Sequence, residues 1–335
     1  MNWKGETVSI ILGVRDESIH MKIIVRISPP HSASREVRKH FGDLVTNDLM
    51  VIFDLDAASE RFAQYLELTR NEKEGTWFNP WMEYTEEELD QCDFLEPVCR
   101  GPVFAETDAD YNQTRKWLDA ASEIETIHGV KVNLLERVCV KDRKLKPNAI
   151  AGVLEWTPDF ILPTEIVNIF KQSQLKGFSV REVFNRKAQL PFQDFHLLYS
   201  DHFMPAATRV VFPPESIPPE ERYKDEFEKA GINLTLARKL DQQDEENLRL
   251  FGCLCYETLN RKDLKDFNRT AEPWASNNFP LWVVSRRVRD ICREHKLKGW
   301  IFEPVLEKGS ELYEEHDLLW KSFVGAVQVN RANHM

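Results

Sequence analysis

The chain has 335 residues, a mass of 39.2 kDa and a net charge of −11, from 44 Lys and Arg against 55 Asp and Glu. Hydrophobic residues make up 42% and aromatics 11%, which supports a packed core and excludes wholesale disorder. The acid excess argues against a broad nucleic-acid-binding face, because phosphates need a basic surface.

The length fits one large domain or two. The first apolar run, Val8 to Val14, is short and is interrupted by Arg15, Asp16 and Glu17, so it reads as neither a signal peptide nor a membrane span. The six cysteines are sparse and irregularly spaced, so no disulfide framework is expected. A soluble protein of a reducing cytoplasm, with no membrane contact, is the expectation.

In chain order, residues 7–14 and 21–28 read as strands rich in Ile and Val, and Ser34 to Phe41 as a short helix. A strand at Val51 to Phe53 precedes a helical stretch from Ala57 to Thr69. Residues 71–106 resist assignment, although Thr85-x-x-Glu88 has the form of a capping box. Residues 108–126 suggest a helix with Trp117 and Leu118 on its buried side, and Val130 to Val140 a strand.

Residues 158–184 and 280–306 align without a gap at an offset of 122, with six identities. The identical pairs are Pro158/Pro280, Ile169/Ile291, Val183/Val305 and the run Leu175-Lys176-Gly177 against Leu297-Lys298-Gly299. Phe160/Trp282, Ile161/Val283, Ile166/Val288 and Phe178/Trp300 are conservative matches. Each copy predicts strand, helix, strand. Ile166, Ile169 and Phe170, and Val288, Ile291 and Cys292, fall at the spacing of one helix stripe. Pro163 and Ser285 suit helix starts. Lys176 and Lys298 suit a last helical turn, and Gly177 and Gly299 a left-handed terminus. Between the copies lies a proline-rich connection with Pro205, Pro213, Pro214, Pro218 and Pro219, and a helix is predicted over 220–230.

Charge is regional. Residues 51–125 hold 19 acids and 6 bases, a net of −13 that exceeds the whole chain's −11. Aromatics are interleaved with these acids. Such a segment suits a basic protein partner: attraction speeds encounter and buried aromatics supply affinity. The candidate partner-binding residues are Trp77, Trp81, Tyr84, Glu86, Glu87, Asp90 and Asp93.

Enzymatic motifs are weak. "MVIFDLDAA" at 50–58 resembles the opening of haloacid-dehalogenase-type phosphatases, which would make Asp54 the nucleophile and Asp56 the acid/base. Ala57-Ala58 stands where that family carries Gly-Thr, and helix capping explains both aspartates. Asp108-x-Asp110-x-Asn112 lacks the glycine and the final glutamate of a calcium loop. His196 and His202 fit no zinc spacing, and Cys253-x-Cys255 lacks the two-residue spacer, its alternation suggesting a strand. No nucleotide loop or hydrolase signature is present. No cofactor, metal or catalytic set is expected.

The second copy, "NNFPLWVVSRRVRDICREHKLKGWIFEPVL" at 277–306, resembles the C-terminal signature of immunity proteins for bacterial polymorphic and contact-delivered toxins. In that signature a strand enters a helix, which ends in a Leu-x-Gly turn before a strand with "EPV" or "REV"; here these are Trp282–Val284, Ser285, Leu297, Gly299 and Glu303-Pro304-Val305, with Arg181-Glu182-Val183 in the first copy. The double-CXXCG group of such proteins is the nearest pattern, though its two Cys-x-x-Cys-Gly pairs are missing, so no metal is carried over. The resemblance implies a protein that neutralises a cognate toxin by occlusion. A phosphatase-like hydrolase and a non-enzymatic scaffold are the alternatives.

The expected fold is α+β: an N-terminal α+β region over 1–149 with the acidic aromatic segment, a duplicated strand–helix–strand domain over 150–310, and a tail over 311–335. The two units are expected to share one core around Ile166, Ile169, Val288, Ile291, Trp282 and Trp300.

Overall fold

The computed structural model describes residues 21–45, 51–70, 77–99, 121–125, 131–136, 138–140, 145–154, 157–185, 187–204, 254–256, 258–274 and 279–332. The fold is α+β. The expected strand at 7–14, the helix at 220–230, the calcium-like stretch and Cys253 lie outside the described residues. The chain divides into two compact units: Met1–Thr85 with Glu246–Phe251 and Leu319–Met335, and Glu86–Glu245 with Gly252–Leu318. The main segment of the first unit thus ends at Thr85, and the second begins at Glu86.

In the first unit, strand β1 (Lys22–Ser28) alternates strictly: Ile23, Val25 and Ile27 are buried, while Lys22 and Arg26 are exposed. Helix α1 (Ser34–Phe41) follows a Pro29-Pro30 break and buries Val37 and Phe41, four residues apart on one face. Strand β2 (Phe53–Asp56) leads through a turn in which Asp56 Oδ1 accepts from the Ala58 amide at 2.8 Å. The Ser59 hydroxyl then caps helix α2 (Glu60–Leu68), accepting from Phe62 N at 3.2 Å. Strand β3 (Trp77–Glu83) completes an antiparallel sheet of order β2-β1-β3. Its inner face packs aromatics: Phe41 stacks on Phe53 at 5.4 Å, and Tyr65 meets both edge-on.

The second unit opens with helix α3 (Glu86–Asp90) and strand β4 (Phe94–Val98). Strands β5 (Ala121–Glu125) and β6 (Lys131–Leu135) form an antiparallel pair, so the predicted helix is overruled at 121–125, where Ile124 alternates with acids. The expected strand at 130–140 is split into β6 and β7 (Val138–Val140). Then come β8 (Ala151–Leu154), β9 (Thr157–Pro163), helix α4 (Thr164–Gln172), β10 (Ser179–Asn185), β11 (Pro191–Tyr199), β12 (Cys255–Tyr256), β13 (Phe267–Trp274), β14 (Phe279–Ser285), helix α5 (Arg286–Glu294), β15 (Ile301–Pro304) and β16 (Leu306–Glu307). The expected tail holds helix α6 (Glu311–Ala332), whose residues from Leu319 on belong to the first unit. There Phe323 lies 5.8 Å from Phe62.

The elements β9-α4-β10 recur as β14-α5-β15 at the offset of 122, to the residue at each start. Both helices end in the same motif. Gln174 and Lys296 take positive φ (54° and 52°), and Leu175 N and Leu297 N reach back to Phe170 O and Cys292 O. The left-handed terminators are thus Gln174 and Lys296, and the glycines serve a second turn further on. A Cβ on Gly177 would lie 2.2 Å from Phe267 O, and one on Gly299 2.0 Å from Ile150 O. Each glycine lets its turn sit against a strand that leads into the other copy: Phe267 N donates to Lys176 O at 3.0 Å, and Ile150 N to Lys298 O at 2.8 Å.

The sheets correspond too. One has the order β7-β10-β11-β9-β8, the other β13-β14-β4-β15. Strand β11 sits between β9 and β10, and β4 between β14 and β15, both antiparallel to their neighbours. Registers agree: His196 faces Leu162 as Leu95 faces Val284, and Leu197 faces Arg181 as Glu96 faces Glu303. Yet β11 follows its copy directly, whereas β4 precedes both copies in the chain.

The core joins the copies. Trp300 lies 5.1 Å from Phe160 and stacks on Phe170 at 6.2 Å, and Phe267 lies 5.5 Å from Phe170 and 6.3 Å from Trp282. Ile166, Val288, Ile291 and Trp282 are buried as expected, while Trp300 and Ile169 are only half-buried, Val167 taking the place of Ile169. A fully buried ion pair, Arg269 with Asp159, lies beside them. Arg269 also donates to Pro280 O at 3.0 Å and covers the Trp282 ring at 3.6 Å. Burial pulls the guanidinium below its ordinary value, and Asp159 opposes that shift.

Candidate functional site

The acidic aromatic segment is divided by the boundary between the units: Trp77, Trp81 and Tyr84 belong to the first, and Glu86, Glu87, Asp90 and Asp93 to the second. In the first unit the outer face of the sheet carries the chemistry. Alternation on β1 sends Lys22, Ile24 and Arg26 outward, and the register sets Arg26 opposite Asp54 and Ile24 opposite Trp81 and Asp56. Arg26 grips Asp54 with two hydrogen bonds, Nε to Oδ1 at 2.9 Å and Nη2 to Oδ2 at 3.0 Å. The same guanidinium lies 5.5 Å from the Trp81 ring, whose Nε1 donates to Glu83 Oε1 at 3.3 Å. Trp81 is half-buried and held from both sides. Trp77 stands opposite Ser28 in the register, and Tyr84 is half-buried beyond the strand.

This geometry also accounts for Asp54 and Asp56. One is committed to Arg26 and the other to the turn before α2. A phosphatase nucleophile would have to release the first of these bonds.

In the second unit the acids are already matched. Helix α5 presents Arg286, Arg289 and Arg293 at the spacing of one face. The Arg289 side chain is 3% exposed, donating to Asp90 Oδ1 and to Glu86 Oε2 (2.5 Å). Arg293 lies 3.5 Å from Glu86 and 3.6 Å from Asp90. The hydrogen bond from Arg289 holds the Asp90 carboxyl below its ordinary value. Asp93 accepts from Arg261 at 2.6 Å, and Arg261 also reaches Glu307 at 2.6 Å. Glu86, Asp90 and Asp93 stay exposed while they fasten α3 and the start of β4 to arginines about 170–200 residues away in sequence. Glu87 is exposed.

A further acid of this segment turns inward. Glu96 on β4 stands directly opposite Glu303 on β15. The residue as a whole is half-buried, but its carboxyl is desolvated; burial first, and the facing Glu303 second, raise it well above the ordinary carboxylate range.

A cleft of about 450 Å³ lies beside β10, lined by Glu136, Val180, Arg181, Glu182, Phe184 and His196. Arg181 stacks on Tyr199 at 4.0 Å and donates to Glu136 Oε2 at 3.1 Å, while Tyr199 donates to Glu136 Oε1 at 3.3 Å. His196 faces Glu182 across the strands, and its Nε2 pairs with Thr164 Oγ1 at 2.9 Å. Burial lowers the imidazole pKa; Lys171 lowers it further and Asp194 acts against them. His202 is held separately, its Nε2 at 3.0 Å from Asp263 O. Among the described residues no group of three or more His, Cys, Asp or Glu is placed to hold a metal ion, and no helix is long and apolar enough to cross a membrane.

The residues whose pairing roles the sequence reading missed are cationic: Arg26, Arg181, Arg261 and Arg289. Sequence marked Arg181 only as part of the Arg-Glu-Val motif, and Arg289 only through the crowding of arginines at 286–293. No protein-family model matches the chain, and no curated protein matches it.

Proposed function

We propose that the chain is a toxin-neutralising immunity protein that acts by covering a cognate bacterial toxin, and that the outer face of the β2-β1-β3 sheet is the covering surface. The observation that carries this reading is the Trp81–Arg26–Asp54 arrangement: an aromatic and an arginine, the residue types most often decisive at interfaces, held in place before a partner arrives. The resemblance of residues 277–306 to immunity proteins supports the same class. Lys22 and Arg26 alternate on this face with Asp54, Asp56 and Glu83, so it suits a partner of mixed charge, and mismatched charges would reject other toxins. No bond is made or broken in this mechanism.

The test is protection. The chain is co-expressed with the toxin encoded beside its own gene, and growth and affinity are measured. The wild type restores growth. Trp81→Ala weakens binding by about 2 kcal/mol or more and forfeits protection, with the thermal midpoint of the isolated chain retained. Full protection by Trp81→Ala and Arg26→Glu removes this face from the mechanism, and absence of any complex with the neighbouring toxin removes the function itself.

A further inference from the structure

We infer that the cleft beside β10 is a docking groove for an extended segment of a protein partner bearing a lysine or arginine next to an apolar residue; the inference rests on the binding reading above but concerns a different surface. Its floor and its charge point the same way. Val180, Glu182, Phe184 and His196 line the cleft; the register sets His196 opposite Glu182 and shifts between Glu182 and Phe184, and Asp194 lies two residues before His196 in the chain. Val180 and Phe184 are half-buried and supply an apolar strip. Arg181 and Glu136 cancel each other. Among the charged lining residues this leaves Glu182, exposed and without an ion pair among the described residues, as the net charge of the groove, while the exposed Asp194 and Lys171 act in opposite senses at His196 beside it. His196, held low by burial, adds no compensating cation at neutral pH. A cationic side chain set over Glu182, with an apolar neighbour against Phe184, satisfies both features.

The rim is already built. Asn185 Oδ1 accepts from the amides of Lys187 (2.9 Å) and Ala188 (3.0 Å), and Gln189 N returns to Asn185 O at 2.8 Å, fixing the hairpin tip. That tip carries Leu190, 64% exposed, next to the Phe184–Pro191 pair. A leucine exposed beside these hydrogen-bonded residues offers contact area at little conformational cost.

The probe is a synthetic pentapeptide of alternating valine and lysine, capped at both ends, titrated into the full chain and followed by amide and imidazole NMR. Its glutamate counterpart and n-butylamine are the other two arms. The lysine peptide is expected to give saturable shifts at Val180, Glu182, Phe184 and His196 and to lower the His196 titration midpoint further. Added salt weakens it, and Glu182→Gln weakens it by about tenfold. Asp194→Asn, a second exposed site, produces a smaller loss. Equal binding of the glutamate peptide, an equal response to n-butylamine, lack of saturation, or indifference to both substitutions would each overturn the groove. None of these results bears on the Trp81 face, whose own test is protection.

Discussion

At the scale of single residues, like charges set opposite each other are the sharpest anomaly. Glu96 and Glu303 face one another across β4 and β15, and the desolvated Glu96 carboxyl titrates well above its ordinary value. A carboxyl raised on folding stabilises the fold while protonated, so its contribution is full below the ordinary glutamate range and drains away as pH climbs through the raised value. Glu303→Gln removes the repulsion. Thermal unfolding from pH 5 to pH 8 should show the variant gaining about 2–4 °C over wild type at the alkaline end and little at the acid end. Parallel pH profiles for the two proteins would refute the opposed pair as the cause. Glu96 carried no such signal in sequence, where it is one of six acids between residues 86 and 96. Alternation places it on a sheet face, but only its partner's register, from a strand about 200 residues later, makes it unusual.

At the scale of elements, the two Leu-Lys-Gly turns show how far a local pattern can be read. The recurrence at 122 was legible because each copy is contiguous and keeps its strand, helix and turn chemistry in one stretch. The glycines were legible as obligatory, though for the wrong reason. Helix termination falls to Gln174 and Lys296, and the glycines are needed because a carbonyl from elsewhere in the unit lies where a Cβ would be. Gly299→Ala should therefore cost roughly 2–3 kcal/mol in urea unfolding, combining backbone strain with the clash at Ile150. Gly309 has φ +83° and nothing within 4 Å of its would-be Cβ, so Gly309→Ala should cost only about 1–2 kcal/mol. Equal losses at the two sites would mean that conformation alone explains both. Helix α6 shows the opposite failure. Leu312, Tyr313, His316, Trp320, Phe323 and Val327 form a buried stripe at helical spacing, although Glu314, Glu315 and Asp317 break up the apolar run in sequence.

At the scale of the whole chain, the net charge of −13 over residues 51–125 was legible and its meaning was not. Composition counts charges without their partners. The fold brings Arg289 and Arg293 to Glu86 and Asp90, and Arg261 to Asp93, so much of the apparent patch is internal fastening. The double variant Glu86→Gln, Asp90→Asn leaves the nearly buried Arg289 without a carboxylate and should lower the urea midpoint, whereas Glu87→Gln should not. A midpoint unmoved by the double variant would return these acids to the solvent. The sheet order was illegible for a related reason. Strands β4 and β11 share only an Asp-Phe pair, Asp93-Phe94 entering β4 and Asp194-Phe195 within β11, too little to show that the two hold matching places.

That placement has a consequence for biogenesis. Strand β4 leaves the ribosome early, yet both strands it must lie between are completed only at Ser285 and Pro304. Until then the nascent chain carries an unclaimed edge of Phe94, Leu95 and Val98. Assembly of the second sheet is thereby deferred to the last stage of translation, and a ribosome stalled before residue 279 would release a fragment prone to stick to its neighbours.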